Sequence, residues 1–209
     1  YDQIYWMLQL GEVAHVDPIS MNPRMIDYAI YVDGISKAFA ATGLRIGFGI
    51  APAPISAAIN RILGHVGAWA PKPGQLGTIA LLNDREAMDT YLTWIRGQAR
   101  ERLSLIYERF TALGADYPVR ALQPEGAIYL SVELKLTGYV DAQGDHLNTP
   151  DDVRKYLLDV AGVAVVPFNA FGAGHAPDWY RLSVGAVSVA DLSAALDSID
   201  VAIRQLTPA

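Results

Sequence analysis

Short apolar stretches bounded by Gly, Asp or Pro alternate along the chain with longer segments whose apolar residues recur every three to four positions. The first pattern predicts buried strands and the second predicts amphipathic helices. Residues 29–32 and 45–50 are expected as strands. Residues 52–63 have helical spacing with a proline near the start, and residues 75–82 form a second short helix after the breaker Pro71-Lys72-Pro73-Gly74. Asp84 is placed to cap a long helix running to about Leu113, in which Met88, Tyr91, Leu92, Ile95, Leu103, Ile106, Tyr107 and Phe110 repeat at three- and four-residue steps. A helix of that length is suited to linking two lobes.

Beyond Gly114 the pattern turns to β. Residues 127–132 read as a strand and the polar stretch 138–148 as a loop insertion. Thr149-Pro150-Asp151-Asp152 opens a helix with a cap, a proline at the first helical position and acidic residues in the first turn. Residues 163–166 and 180–184 are strands, and Ser188 or Asp191 opens a last helix to about Leu206. The order of elements predicts the end of an α/β domain over residues 1–95 and an α+β domain over residues 96–209, linked by the helix of about 84–113.

Composition narrows the class. With 209 residues, 52% of them hydrophobic, the chain can build one large or two small cores. No apolar run reaches the roughly 18 residues that span a bilayer, and the N-terminus lacks a basic-then-apolar leader, so the chain reads as soluble and not membrane-bound. The absence of cysteine excludes disulfides and thiolate metal sites and is compatible with a reducing cytoplasm, the default compartment. A formal charge of −6 with scattered basic residues leaves no electrostatic footprint for nucleic acid. His15, His65, His146 and His175 are far apart with no metal-ligand spacing, and no metal is assigned.

The most informative run is Val32-Asp33-Gly34-Ile35-Ser36-Lys37-Ala38-Phe39-Ala40-Ala41-Thr42-Gly43-Leu44-Arg45-Ile46-Gly47-Phe48. A lysine directly after an apolar strand can sit in a crevice where its amine is partly desolvated and able to attack a carbonyl. Taken alone it reads as a solvated loop lysine; its surroundings change that reading. The run resembles the lysine segment of class I and II aminotransferases, fold-type I enzymes that use pyridoxal 5'-phosphate. Upstream, Tyr1-Asp2-Gln3-Ile4-Tyr5 is similar to that family's Asp-x-x-Tyr element. Downstream, Pro124-Glu125-Gly126-Ala127-Ile128-Tyr129, then Val163 through Gly172, then Tyr180-Arg181-Leu182-Ser183-Val184-Gly185 follow in the family's order.

The resemblance implies an α/β fold made of the C-terminal part of a pyridoxal-phosphate transferase large domain, a mixed sheet with flanking helices, followed by an α+β small domain. In this family the Asp-x-x-Tyr element ends a strand in the middle of the large domain, so the first half of that domain is expected to lie upstream of Tyr1. The same resemblance implies roles for individual residues. Lys37 would hold the cofactor as a lysine aldimine and shuttle a proton; Asp2 would face the pyridine nitrogen; Tyr5 would donate to the phenolic oxygen. Ser36 and Arg45 would hold the phosphate, and Arg181 would grip the substrate's α-carboxylate. Gly34 stands where many relatives carry a second phosphate-binding serine, and Phe168 where many have a glycine after the proline.

The implied activity is exchange of an amino group between an L-amino acid and a 2-oxo acid, with aspartate and 2-oxoglutarate preferred, in a homodimer with its site at the subunit boundary. Residues 65–72, where one subgroup carries an arginine for the distal carboxylate, contain none; Lys72 is the substitute considered. Two other readings stay open. The same residues support a lyase or decarboxylase of this fold, and an aminotransferase-like module also occurs as the sensor domain of transcription regulators. A helix-turn-helix upstream would favour the sensor.

Overall fold

The computed structural model describes residues 1–209, which divide into two compact units. One comprises Tyr1–Gly97 with Glu125–Ala127, the other Gln98–Pro124 with Ile128–Ala209. In the first unit a short helix α1 (Pro18–Met21) precedes strands β1 (Tyr31–Gly34) and β2 (Gly47–Ile50), then helices α2 (Ala53–Val66) and α3 (Lys72–Asn83). Helix α4 (Arg85–Leu113) starts in this unit and ends in the second. The second unit contains β3 (Val119–Ala121), β4 (Tyr129–Leu134), β5 (Tyr139–Val140), α5 (Pro150–Ala161), β6 (Val166–Pro167), β7 (Trp179–Ser183), α6 (Val189–Arg204) and β8 (Thr207–Pro208).

The first unit is built around β1. Strand β2 pairs with it antiparallel, Gly34 opposite Gly47, while the first residues of the chain run along its other edge in parallel through an Asp2–Val32 bridge. Gln3 N–H donates to the Val32 carbonyl at 3.1 Å and Val32 N–H to the Tyr1 carbonyl at 2.9 Å. The mixed pairing thus places the Asp2–Tyr5 stretch beside the strand that leads to Lys37. The Tyr31 hydroxyl donates to Asp17, and Asp17 also caps α1 by accepting from Ile19 and Ser20. Leu8, Tyr31, Ile35, Ala38 and Ile46 form the buried centre of this unit.

Strand β2 departs from the buried strand expected over residues 45–50: it begins two residues later and is exposed along its length, with Phe48 and Ile50 about half exposed. Its outer edge is unpaired, so nothing in this chain shelters it as a central strand is sheltered. Helix α3 starts at Lys72, inside the stretch expected to break the chain, because a proline is tolerated in the first turn, where its missing N–H would have no partner. Gly74 lies in that first turn, and a Cβ there would fall 2.8 Å from Ile46 Cδ1, so glycine lets the helix pack closely on the Ile46 side chain just before β2.

In the second unit a four-stranded antiparallel sheet has the order β3-β4-β7-β6. One face carries Leu130, Val132, Tyr180 and Leu182, all buried in the same core as Leu103, Ile106 and Phe110 of α4, Leu157 of α5 and Ile199 and Ile203 of α6. Thr149 caps α5 with a reciprocal capping box through Asp152, and Gly162 ends the helix in the left-handed region at φ 70°. Ser188, not Asp191, is the cap of α6; it accepts the Asp191 N–H at 3.1 Å. The stretch read as a loop insertion contains β5, which pairs with β8 at the C-terminus.

Candidate functional site

Lys37 lies on a tight turn just after β1, partly buried, with Ser36 beside it. Its ammonium nitrogen stands 5.8 Å from the centre of the Tyr5 ring, so the amine and the phenol are brought together. Two features of sequence create this contact. Residues 1–3 are held by the parallel pairing to β1 and lead directly into the turn that carries Tyr5, and the chain after β1 turns at once because Gly34 lets the strands close tightly. A Cβ on Gly34 would lie 2.8 Å from the Ile46 carbonyl oxygen. A serine at that position would push β1 and β2 apart, which is the physical reason for the glycine there.

A residue that motif reasoning passed over ties the two segments together. Asp33, on β1, is buried and accepts hydrogen bonds from the Trp6 indole at 2.8 Å, the Gln3 side-chain amide at 3.3 Å and the Gly34 N–H at 2.6 Å. Gln3 and Trp6 flank Tyr5, so this carboxylate fixes the Tyr5 stretch to the root of the Lys37 turn. An aspartate before a glycine at a strand end reads as a turn former, and its sequence separation from Trp6 left no local signal.

Asp2 is exposed, and its Oδ1 accepts the Ile4 N–H at 3.1 Å. Its backbone bridge to Val32 holds it on the edge of β1. Arg45 does not extend β2 as expected; it adopts the left-handed conformation at φ 56° and donates from Nη1 to the Thr42 carbonyl at 2.8 Å. Its exposed guanidinium borders a cavity of about 650 Å³ between β2 and the helices α2 and α3, lined also by Phe48, Trp69, Gln75 and Ile79. This pocket contains neither Lys37 nor Tyr5.

Arg181 lies in the second unit, on β7. Its guanidinium is sandwiched between two aromatic rings, 4.3 Å from the centre of Tyr129 and 4.4 Å from that of Phe171. Its Nε is buried and has no hydrogen-bond partner, and no carboxylate of the chain forms an ion pair with it. A cation held by ring faces alone keeps its outward N–H groups available to an anion. Tyr129 and Phe171 were not legible as partners of Arg181, since their contacts arise from strand pairing and a local turn.

Elsewhere in the second unit, the charge on Glu133 is met by two cations. Burial pushes the Glu133 carboxyl up, but hydrogen bonds and charge from Arg120 and Lys135 more than offset this and hold it below the usual glutamate range. Asp178 is pushed above the usual aspartate range by burial and by the Glu133 charge. Burial raises the Tyr180 phenol, whose hydroxyl donates to the Pro150 carbonyl at 2.8 Å and ties β7 to the start of α5. No group of histidine and carboxylate side chains is arranged to hold a metal ion, and no helix is long and apolar enough to cross a membrane.

The family model for aminotransferase class I and II matches residues 2–199. The chain is 32% identical over 208 residues to a bifunctional aspartate aminotransferase and glutamate/aspartate-prephenate aminotransferase of Petunia hybrida, covering 99% of this chain and 42% of that protein. It is 33% identical over 177 residues to an aspartate/prephenate aminotransferase of Thermus thermophilus, covering 83% of this chain and 41% of that one. The crystal structure of an aspartate aminotransferase from Rhizobium meliloti superposes with a TM-score of 0.88 at 27% identity, over 98% of this chain and 49% of that one. The chain spans about half the length of the curated relatives it matches. On the family match and on these relatives together, it belongs to the class I and II aminotransferases.

Proposed function

We propose that the protein is a pyridoxal-phosphate-dependent aminotransferase that moves an amino group between an L-amino acid and a 2-oxo acid, with aspartate and 2-oxoglutarate as the preferred pair. The observation that carries this reading is the approach of the Lys37 amine to the Tyr5 ring at 5.8 Å, in a chain of this family. The preference for aspartate rests on the likeness to aspartate and prephenate aminotransferases. No arginine occurs in residues 65–72, and Lys72 is the cation proposed to meet a distal carboxylate.

The donor set fits the cofactor: an amine for its aldehyde, a phenol and a carboxylate for its ring, and a hydroxyl and a guanidinium for its phosphate. When bound, pyridoxal phosphate supplies an electron sink for the charge that develops as the substrate α-carbon loses its proton. Lys37 would be the covalent anchor for the cofactor's aldehyde, and its free amine would serve as the base that takes the proton from the substrate α-carbon. Asp2 would hold the pyridine nitrogen in its protonated form through a charge-assisted hydrogen bond. Tyr5 would donate a hydrogen bond to the phenolic oxygen, and Ser36 and Arg45 would hold the phosphate. Arg181 orients the substrate by its α-carboxylate, a positioning effect common to every amino acid.

The protein is proposed to act as a cytoplasmic homodimer; its lack of cysteine is compatible with a reducing compartment. The test is a single-turnover half-reaction of the full-length, cofactor-loaded protein with a panel of amino acids. Spectral conversion to the pyridoxamine form, fastest with aspartate, is expected. Release of ammonia or carbon dioxide without that conversion would reject transamination.

A further inference from the structure

We infer that Phe168 is a positioning residue: braced by Trp179, it sets Phe171 against Arg181 and so fixes the plane in which the arginine meets a carboxylate. The inference rests on the reading of Arg181 as the carboxylate-binding residue.

Phe171 is about half exposed and belongs to no strand or long helix, so contact with Arg181 alone would leave its ring free to leave for solvent. Two local devices prevent this. The first is strand register. Val166 pairs with Arg181 and Pro167 with Tyr180, so the next position, Phe168, falls opposite Trp179, and the two rings lie 6.3 Å apart. The second is the single 3-10 turn Phe168–Phe171, in which side chains three residues apart eclipse one another. Phe168 therefore sits beneath Phe171, and their rings meet edge to face at 6.3 Å. Gly172, at φ 81°, ends the turn immediately after Phe171, so the aromatic pair occupies its two ends.

The stack is anchored at its far end. Trp179 pairs across the sheet with Glu133, Glu133 pairs with Arg120, and the Arg120 guanidinium returns over the Trp179 ring at 5.2 Å. The order Arg120, Trp179, Phe168, Phe171, Arg181, Tyr129 is thus one continuous column of rings and cations on the sheet face opposite the core. With no carboxylate bonded to Arg181, this column is what sets the angle of its guanidinium. A planar fork accepts a carboxylate bidentately in one plane only, so tilting Phe171 costs carboxylate affinity without touching bond-making chemistry.

The test uses the full-length, cofactor-loaded protein and succinate as the carboxylate probe, measured by calorimetric titration, with KM and kcat for aspartate alongside. Phe168→Ala and Phe168→Leu are each expected to weaken succinate about fivefold, the size of one lost cation–π contact, and to raise KM by the same factor with kcat within twofold. Phe168→Tyr keeps the ring and is expected to bind as the native protein does. Arg181→Ala serves as the reference and is expected to abolish succinate binding. If Arg181→Ala loses binding while Phe168→Ala and Phe168→Leu do not, the brace is overturned and the reading of Arg181 stands. Equal weakening in all three Phe168 variants would assign the residue to packing and also overturn it. Native-like binding by Arg181→Ala would remove the reading of Arg181 and the brace together.

Discussion

The buried carboxylate of Asp33 accepts the indole proton of Trp6 at 2.8 Å and in doing so joins the segment that carries Tyr5 to the strand that delivers Lys37. The same carboxylate takes bonds from Gln3 and Gly34, so removing it leaves three donors unpaired. Asp33→Ala is expected to destabilise the full-length protein by about 3 kcal/mol, and Trp6→Phe, which removes one donor, by about 1 kcal/mol. Urea unfolding midpoints check both. An Asp33→Ala effect no larger than that of Trp6→Phe would show that the carboxylate does not tie the segments.

Gly34→Ala tests the close approach of β1 and β2. The added Cβ falls 2.8 Å from the Ile46 carbonyl oxygen, a backbone atom that can yield only by parting the strands. A loss of about 1–3 kcal/mol is expected, as for an overpacked interior. Gly43→Ala is the control, since nothing lies within 4 Å of its added Cβ, and it is expected to change stability far less. Equal effects at the two glycines would contradict the steric account.

Glu133 and Asp178 give the second unit a pH dependence whose direction follows from their opposite shifts. Glu133 titrates below its ordinary 4.5 in the folded protein, so its stabilisation is complete above that value and is lost as pH falls through the folded pKa. Asp178 has the opposite sign: raised above its ordinary 3.8, it costs stability when ionised and stops doing so as pH falls through its folded pKa. Glu133→Gln is expected to cost about 1 kcal/mol at pH 7, a modest figure because Arg120 and Lys135 are largely exposed. The gap between the two proteins should close as pH drops below 4.5. In the same variant the Asp178 carboxyl, followed by carbon-13 NMR, should titrate lower than in the native protein but not reach its ordinary value, because burial remains. An unchanged Asp178 would mean that Glu133 exerts no charge on it.

Local chemistry was legible in the sequence and long-range contact was not. Thr149 with Pro150 and Asp152, and Ser188 with Asp191, are caps made within four residues, and both stand as the residue types imply. Strand ends came out displaced by about two residues, because pairing partners, not the apolar run itself, decide where a ladder stops. Strand β3 is three residues long and β5 two, too short to show alternation. Likewise Lys37, Tyr5 and Arg181 stand out by motif, whereas Asp33 and Phe171 act through neighbours that only the folded chain supplies.

The central claim is that the Lys37 amine is the point at which pyridoxal phosphate is attached. The most direct measurement is borohydride reduction of the full-length protein loaded with the cofactor, followed by peptide mapping. The account predicts a single pyridoxyl adduct on Lys37 and none in Lys37→Ala. An adduct on another lysine, or one that persists in Lys37→Ala, would contradict it.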